Sequence, residues 1–204
     1  MANISKFDRE NVLEKAKNLF WQKGFLGTST RELQAVINLR PGSIYAAFGS
    51  KSALFQEVLR HYAKISSEEL HQHTQGNPSV LAGLKQYLHN ILSNEHNTLP
   101  NELCLLVKTL SELDDSYVDI LLVARELLKQ IEDTFAKLLH QAKVQHELPA
   151  DTDENRLAKH LQIQIIGLRF YLKATGDSKT VSQQLNTLFE QLPHQAFLSR
   201  HVSN

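Results

Sequence analysis

Apolar residues recur along this chain at intervals of three and four, and no stretch alternates at a period of two for long enough to make a strand. The pattern predicts an all-helical protein. In a first helix, from about Asp8 to Lys23, Val12, Ala16, Leu19 and Phe20 share one face, and Gly24 ends it. A second follows Thr28, whose hydroxyl can cap it with Glu32 as the far member of a capping box, and it stops near Ile37. Asn38 stands where a left-handed backbone residue is wanted, and Arg40-Pro-Gly-Ser43 opens a third helix of about two turns, to Phe48. Ser50 is placed to cap a longer fourth helix that carries Leu54, Phe55, Val58 and Tyr62 and runs to about His71. Beyond the turn cluster Gln75-Gly-Asn-Pro-Ser79, helices are expected at about 80–93, 101–113, 116–146, 153–175 and 179–192, about nine in all, punctuated by Pro100, Pro149 and Gly176.

Composition narrows the class. The chain has 204 residues, 42% of them hydrophobic, with 8 Gly and 5 Pro, which excludes collagenous and disordered chains. One Cys cannot form an internal disulfide, so a reducing compartment is expected, with an intermolecular bridge or a reactive thiol left open. Residues 1–13 carry charges where a signal peptide needs an apolar stretch, and no later run approaches the roughly 18 apolar residues of a membrane span. A cytoplasmic protein without membrane attachment is the expectation. The net charge is zero, yet residues 1–65 hold ten Lys/Arg against five Asp/Glu while residues 66–204 hold twelve against seventeen. A small basic unit followed by a larger acidic one suggests an anionic partner for the first.

Three short helices, the last two separated by a tight turn, match the helix-turn-helix plan, in which the second helix of the pair enters the major groove of DNA. Ile44 and Phe48, four apart, can anchor the third helix, leaving Gly42, Ser43, Tyr45 and Ala46 outward. Gly42 lets backbone approach a phosphate and the Tyr45 hydroxyl can donate to one. The amides at Thr28, Ser29 and Thr30 and at Ser50 to Ser52, the latter beside Lys51, offer two further anion sites.

The stretch Phe20-Trp-Gln-Lys-Gly-Phe-Leu-Gly-Thr-Ser-Thr-Arg-Glu-Leu33, followed by Pro41-Gly-Ser-Ile-Tyr-Ala-Ala-Phe-Gly-Ser-Lys-Ser-Ala-Leu-Phe55, resembles the N-terminal domain of the tetracycline-repressor (TetR/AcrR) family of bacterial transcriptional regulators. The motif covers roughly residues 8–60; the rest resembles the family in length and helical count. The resemblance implies a helix-turn-helix domain over residues 1–50, a connecting helix over 51–74 and an effector-binding and dimerisation domain over 75–204. It also implies that Thr28, Ser29, Thr30, Tyr45 and Lys51 touch the DNA backbone and that Arg40, Ser43 and Ala46 read bases, with Pro41 and Gly42 among the DNA-binding residues. Arg40 is the candidate for a guanine contact, which would contribute about 1–3 kcal/mol of discrimination. Two departures stand out: Asn38 replaces the usual turn Gly, which Asn tolerates, and Ala46-Ala47 replaces larger residues, leaving fewer groups for base edges.

In the eighth helix Leu157, Leu161, Ile165, Leu168 and Leu172 make one apolar stripe and Ile163, Ile166 and Phe170 another; the ninth adds Val181, Leu185, Leu188, Phe189 and Leu192. By resemblance these two helices form a homodimer interface, expected on Leu161, Ile165, Leu168, Leu172, Leu185, Leu188, Phe189 and Leu192; the alternative is that both stripes are satisfied within one chain. A two-fold dimer calls for an inverted-repeat operator in double-stranded DNA.

Cys104 lies on the predicted sixth helix with Lys108 four residues on, and a nearby ammonium can activate a thiol. The segment resembles the corresponding part of electrophile-sensing members of the family, of the N-ethylmaleimide-reductase repressor type. Cys104 can equally be a small hydrophobe among Leu103, Leu105 and Leu106. A conventional pocket for a small-molecule effector would draw on Tyr87, Tyr117, Phe135, Phe170 and Tyr171, each of which also suits a core. Glu68-Glu-Leu-His71 is one Glu-x-x-His without a second, so no metal and no cofactor are expected, and no catalytic motif points to an enzyme. The expected function is a ligand- or stress-responsive repressor released from its operator by an effector. The alternative is a helical small-molecule binding protein whose head no longer binds DNA.

Overall fold

The computed structural model describes residues 9–37, 46–93 and 103–192. Every regular element among them is helical. In chain order they are α1 (Arg9–Lys23), α2 (Thr30–Ile37), α3 (described over 46–48), α4 (Lys51–Gln75), α5 (Val80–Ser93), α6 (Leu105–Glu112), a 3-10 turn (Asp115–Tyr117), α7 (Val118–Val144), α8 (Glu154–Thr175) and α9 (Ser178–Glu190). Among the described residues no helix is long and apolar enough to cross a membrane.

The chain packs as two compact units, one drawn from Met1–Ile65 and Cys104–Leu128, the other from Ser66–Leu103 and Lys129–Asn204. They cut across the consecutive blocks expected from the sequence, because α4 and α7 each contribute to both and α6 joins the N-terminal helices.

In the first unit the expected face of α1 is buried, with Ala16 and Phe20 fully so, and α4 buries Leu54, Phe55, Val58 and Leu59. An aromatic cluster sits here: Phe55 stands 4.6 Å from Phe20 and 5.1 Å from Phe25, ring centre to ring centre. Tyr117 meets Phe25 edge-on at 5.3 Å. Offset and edge-on contacts of this kind add to the area they bury. Phe48, at the end of α3, is buried as expected, and its ring carries the Arg9 guanidinium, which also binds both oxygens of Glu57 on α4 at 2.6–2.7 Å.

In the second unit α5, α8 and α9 pack on one another around Leu84, Leu88, Leu161, Ile165, Leu185 and Phe189, with Phe135, Leu138 and Leu139 of α7 in the same core. Gly83 permits a close passage of α5 by the end of α4: a Cβ there would lie 2.6 Å from the His73 carbonyl and 2.8 Å from Thr74 Cα. Helix ends are supplied with partners. Asp153 caps α8 and Asp177 caps α9 through their carboxylates, and Gly176 (φ +68°) ends α8 in the left-handed conformation. At α5 the Ser79 hydroxyl accepts from the Ala82 amide (3.0 Å) as a local cap, and a second set of bonds comes from afar. The Glu147 carboxylate accepts from the Ser79 hydroxyl (2.6 Å) and from the amides of Val80 (2.7 Å) and Leu81 (3.0 Å).

Several boundaries differ from expectation; α7 is shorter at both ends and α9 ends at Glu190. α4 runs on to Gln75. α6 starts at Leu105 rather than near 101, with Cys104 as its extended N-cap residue (φ −56°, ψ 133°). The cap of α2 is Ser29 and not Thr28, as the geometry below makes plain.

Candidate nucleic-acid interface

Two helix N-termini of the first unit are capped by their own side chains. At α2, the Ser29 hydroxyl accepts from the Glu32 amide (3.2 Å) while the Glu32 carboxylate accepts from the Ser29 amide (2.9 Å) and hydroxyl (2.7 Å). This is a capping box displaced one residue from the expected place. Glu32 also pairs with Lys23; that hydrogen bond, reinforced by those from Ser29, holds its carboxyl down at about 2. Thr28 is buried and its hydroxyl donates to the Gly24 carbonyl (2.6 Å), because the chain between Gly24 and Ser29 turns back on α1. Its side chain is therefore spent on the turn and is removed from the set of backbone contacts expected at Thr28, Ser29 and Thr30. Ser29 is exposed and Thr30 half-buried.

At α4, the Ser50 hydroxyl accepts from the Ala53 amide (3.0 Å), as expected. The Lys51 ammonium lies 4.4 Å from the centre of the Phe25 ring. Burial lowers its pKa, against the pull of Glu112 and Glu32. Ala46 is exposed. Arg40, Pro41, Gly42, Ser43 and Tyr45, and with them the turn at Asn38, lie outside the described residues.

Sequence reasoning missed the groups that hold the α1–α2 turn from outside. Lys108 on α6 donates to the carbonyls of Trp21 (2.7 Å) and Gln22 (2.9 Å) at the end of α1. One turn on, Glu112 accepts from the amides of Phe25 (3.1 Å) and Leu26 (2.7 Å). Only the i, i+4 spacing of an ammonium and a carboxylate hinted at a shared face. Lys108 thus serves α1, whereas the Cys104 thiol is met by the Tyr62 hydroxyl, which donates to Sγ at 3.4 Å. Cys104 is half-buried, and the Tyr62 ring meets Trp21 edge-on at 5.1 Å.

The other residues expected at a sensor site divide between the units. Tyr117 is in the first, half-buried against Phe25; Tyr87 and Phe135 are in the core of the second. Phe170 and Tyr171 are exposed, at 54% and 43%, so neither lines the interior of its unit.

The expected dimer stripe needs the same correction. Leu161, Ile165, Leu185, Leu188, Phe189 and Leu192 are buried in the core of their own chain, and Leu168 and Leu172 pack against that core. The uncovered side of α8 carries part of the second stripe: Ile163 is 63% exposed, Phe170, with Tyr171 beside it, is exposed about two turns on, Ile166 is half-buried, and a Cβ at Gly167 would meet nothing within 4 Å.

Among the described residues every regular element is helical; the first unit carries side-chain-capped N-termini at α2 and α4 and the second is a helical bundle, a plan that suits a DNA-binding head and a helical body. Residues 12–58 match the family described as bacterial regulatory proteins, tetR family, and residues 80–188 match the tetracycline-repressor-like C-terminal domain. The chain belongs to the TetR family. It is 26% identical over 196 residues to the transcriptional repressor ComR of Escherichia coli, covering 92% of this chain and 90% of ComR. It is 34% identical over 117 residues to the repressor NemR of the same species, covering 55% of this chain and 57% of NemR. The regulator CifR, solved with a 26-base-pair operator duplex, superposes with a TM-score of 0.82 at 25% identity, covering 94% of this chain and all of the CifR chain.

Proposed function

We propose that this protein is a homodimeric, effector-responsive transcriptional repressor that binds an inverted-repeat operator and leaves it when an effector or a stress signal acts on the body. The observation that carries the reading is the family match over both head and body, joined to two capped helix N-termini in the head. Thr30, Tyr45 and Lys51 contact phosphates in this reading, Ser29 fixes the α2 N-terminus through its bonds to Glu32, Arg40, Ser43 and Ala46 read bases with Pro41 and Gly42 at the DNA surface beside them, and Arg40 reads a guanine. The second copy docks on the exposed face of α8 around Ile163, Phe170 and Tyr171. An effector changes operator affinity only by its differential affinity for two conformations. We assign the protein to the cytoplasm and give it no catalytic step. For the signal itself, the resemblance of the segment around the half-buried Cys104 to electrophile-sensing members of the family supports a thiol-reactive electrophile acting there, and a small-molecule ligand of the body is the second reading.

The test is the anisotropy of a labelled duplex from immediately upstream of the protein's own coding region, against a random duplex, across a salt series. Binding that prefers the upstream duplex and weakens steeply with salt supports the reading, with affinity lost in Lys51→Ala and Tyr45→Phe. Equal, weak binding of both duplexes, unchanged by those substitutions, favours a helical binding protein whose head no longer reads DNA. Release by N-ethylmaleimide in wild type but not in Cys104→Ser identifies the thiol as the sensor.

A further inference from the structure

The turn between α1 and α2 closes on itself through Thr28, which bonds to Gly24 and Phe25, and its remaining backbone groups are met from outside. A helix C-terminus leaves its last carbonyls without partners in the helix, and the amides of the following turn need acceptors too. Here Gly24 bends the chain in the left-handed conformation (φ +79°), its amide closing back on the Phe20 carbonyl at 2.7 Å. Four backbone groups around that bend are then taken by two side chains of α6. Lys108 fills the carbonyls of Trp21 and Gln22, and Glu112 fills the amides of Phe25 and Leu26. The signs match the groups they meet, an ammonium at the negative end of a helix and a carboxylate on N–H donors.

What the turn holds is the front of the candidate DNA surface. Phe25 packs on Phe55, four residues into α4, and supports the Lys51 ammonium on its ring. Thr28 bonds back to Gly24, and Ser29 begins the capping box of α2. A shift of the turn therefore displaces the α2 N-terminus and the support of Lys51 together.

We propose that Lys108 and Glu112 are positioning residues for DNA binding, holding the α1–α2 turn in the geometry that aligns the α2 and α4 N-termini. The structural unit that reads DNA then extends beyond the helix-turn-helix segment to α6, more than eighty residues away in sequence. This rests on the functional reading above. Neither side chain is a DNA contact, so their loss spares the phosphate-binding groups themselves. Specific recognition, which needs several groups in register, suffers; non-specific attraction, which needs only the charges, does not.

The experiment uses the full chain and an operator duplex selected by the wild-type protein from a randomised pool, with random duplex as control. Lys108→Met keeps the length of the side chain without the donor; Glu112→Gln keeps its shape and one acceptor; Glu112→Ala removes it. For Lys108→Met and Glu112→Ala we expect at least a tenfold loss of operator affinity with random-duplex affinity and its salt slope unchanged, and for Glu112→Gln a smaller loss. Trp21, the one Trp of the chain, reports on the same place, so its emission should shift in Lys108→Met while the urea transition stays cooperative. The positioning role is overturned if wild type prefers the selected duplex and the variants keep that preference, or if operator and random affinities fall in parallel. A wild-type protein that selects no duplex at all sinks the functional reading, and the positioning role with it. Should Glu112→Ala fail to fold, Glu112→Gln and Lys108→Met carry the same comparison.

Discussion

Gly24 and Gly49 adopt the same φ, +79°, in surroundings that could hardly differ more. A Cβ built on Gly49 meets nothing within 4 Å, whereas one built on Gly24 falls on the carboxylate of Glu112. Gly49→Ala should therefore show the conformational cost alone, about 1–2 kcal/mol. Gly24→Ala should cost more, by the displacement of a carboxylate that also serves two amides, and the excess should shrink in a Glu112→Ala background. Urea midpoints of the two single variants and the double variant measure this. That Gly24 ends α1 was legible in the sequence, since a Gly after a periodic apolar run is a local signal. Glu112 was not, because its partners lie 86 and 87 residues away and nothing beside it in the chain marks it. Thr28 and Ser29 fall between these cases. Adjacent hydroxyls before a helix announce a cap, but which one serves depends on how the turn closes on Gly24.

At the scale of the element, several helices depend on carboxylates at their ends or flanks. Glu32 is held at about 2 by the Lys23 hydrogen bond and then by Ser29, and Glu154 at about 2 by the Lys143 hydrogen bond, its own amide and His140. Both would titrate near 4.5 in the unfolded chain. Each thus stabilises the fold fully above that value and loses the contribution as pH falls from 4.5 through 2. Glu32→Gln should lower the thermal midpoint at pH 7, and its difference from wild type should close between pH 4.5 and 2. A constant difference across that range would contradict the assignment. At α5 Glu147 adds to the local Ser79 cap by taking two amides, so Glu147→Ala should cost about 1–2 kcal/mol and speed amide exchange at Val80 and Leu81. The existence of these helices was legible from periodicity, and the caps of α4 at Ser50 and of α2 within one residue. The Glu147 share of the α5 cap was not, for the reason that hid Glu112: it is a tertiary contact.

For the whole molecule, both apolar stripes of α8 were legible, but their assignment was not. Periodicity shows that a face must be covered without saying by what, and the wider stripe proves to be covered by α5 and α9 of the same chain. The prediction at this scale separates the two faces. Phe170→Glu should give a folded monomer by sedimentation velocity, whereas Leu161→Glu should abolish the cooperative unfolding transition, since it places a charge in the core. A dimer that survives Phe170→Glu together with Ile163→Lys would move the interface elsewhere. The interleaving of the two units also bears on how such a gene can change. The chain passes from one unit to the other within α4, just before Cys104 and within α7, so no single breakpoint releases a complete head. A recombination event that transplants residues 1–50 onto a foreign body leaves Lys108 and Glu112 behind, and the incoming body must already present an ammonium and a carboxylate one turn apart to the same four backbone groups. Exchange of DNA specificity by shuffling is in that way restricted to donors and recipients that share this pair, while divergence of the remaining body is left free.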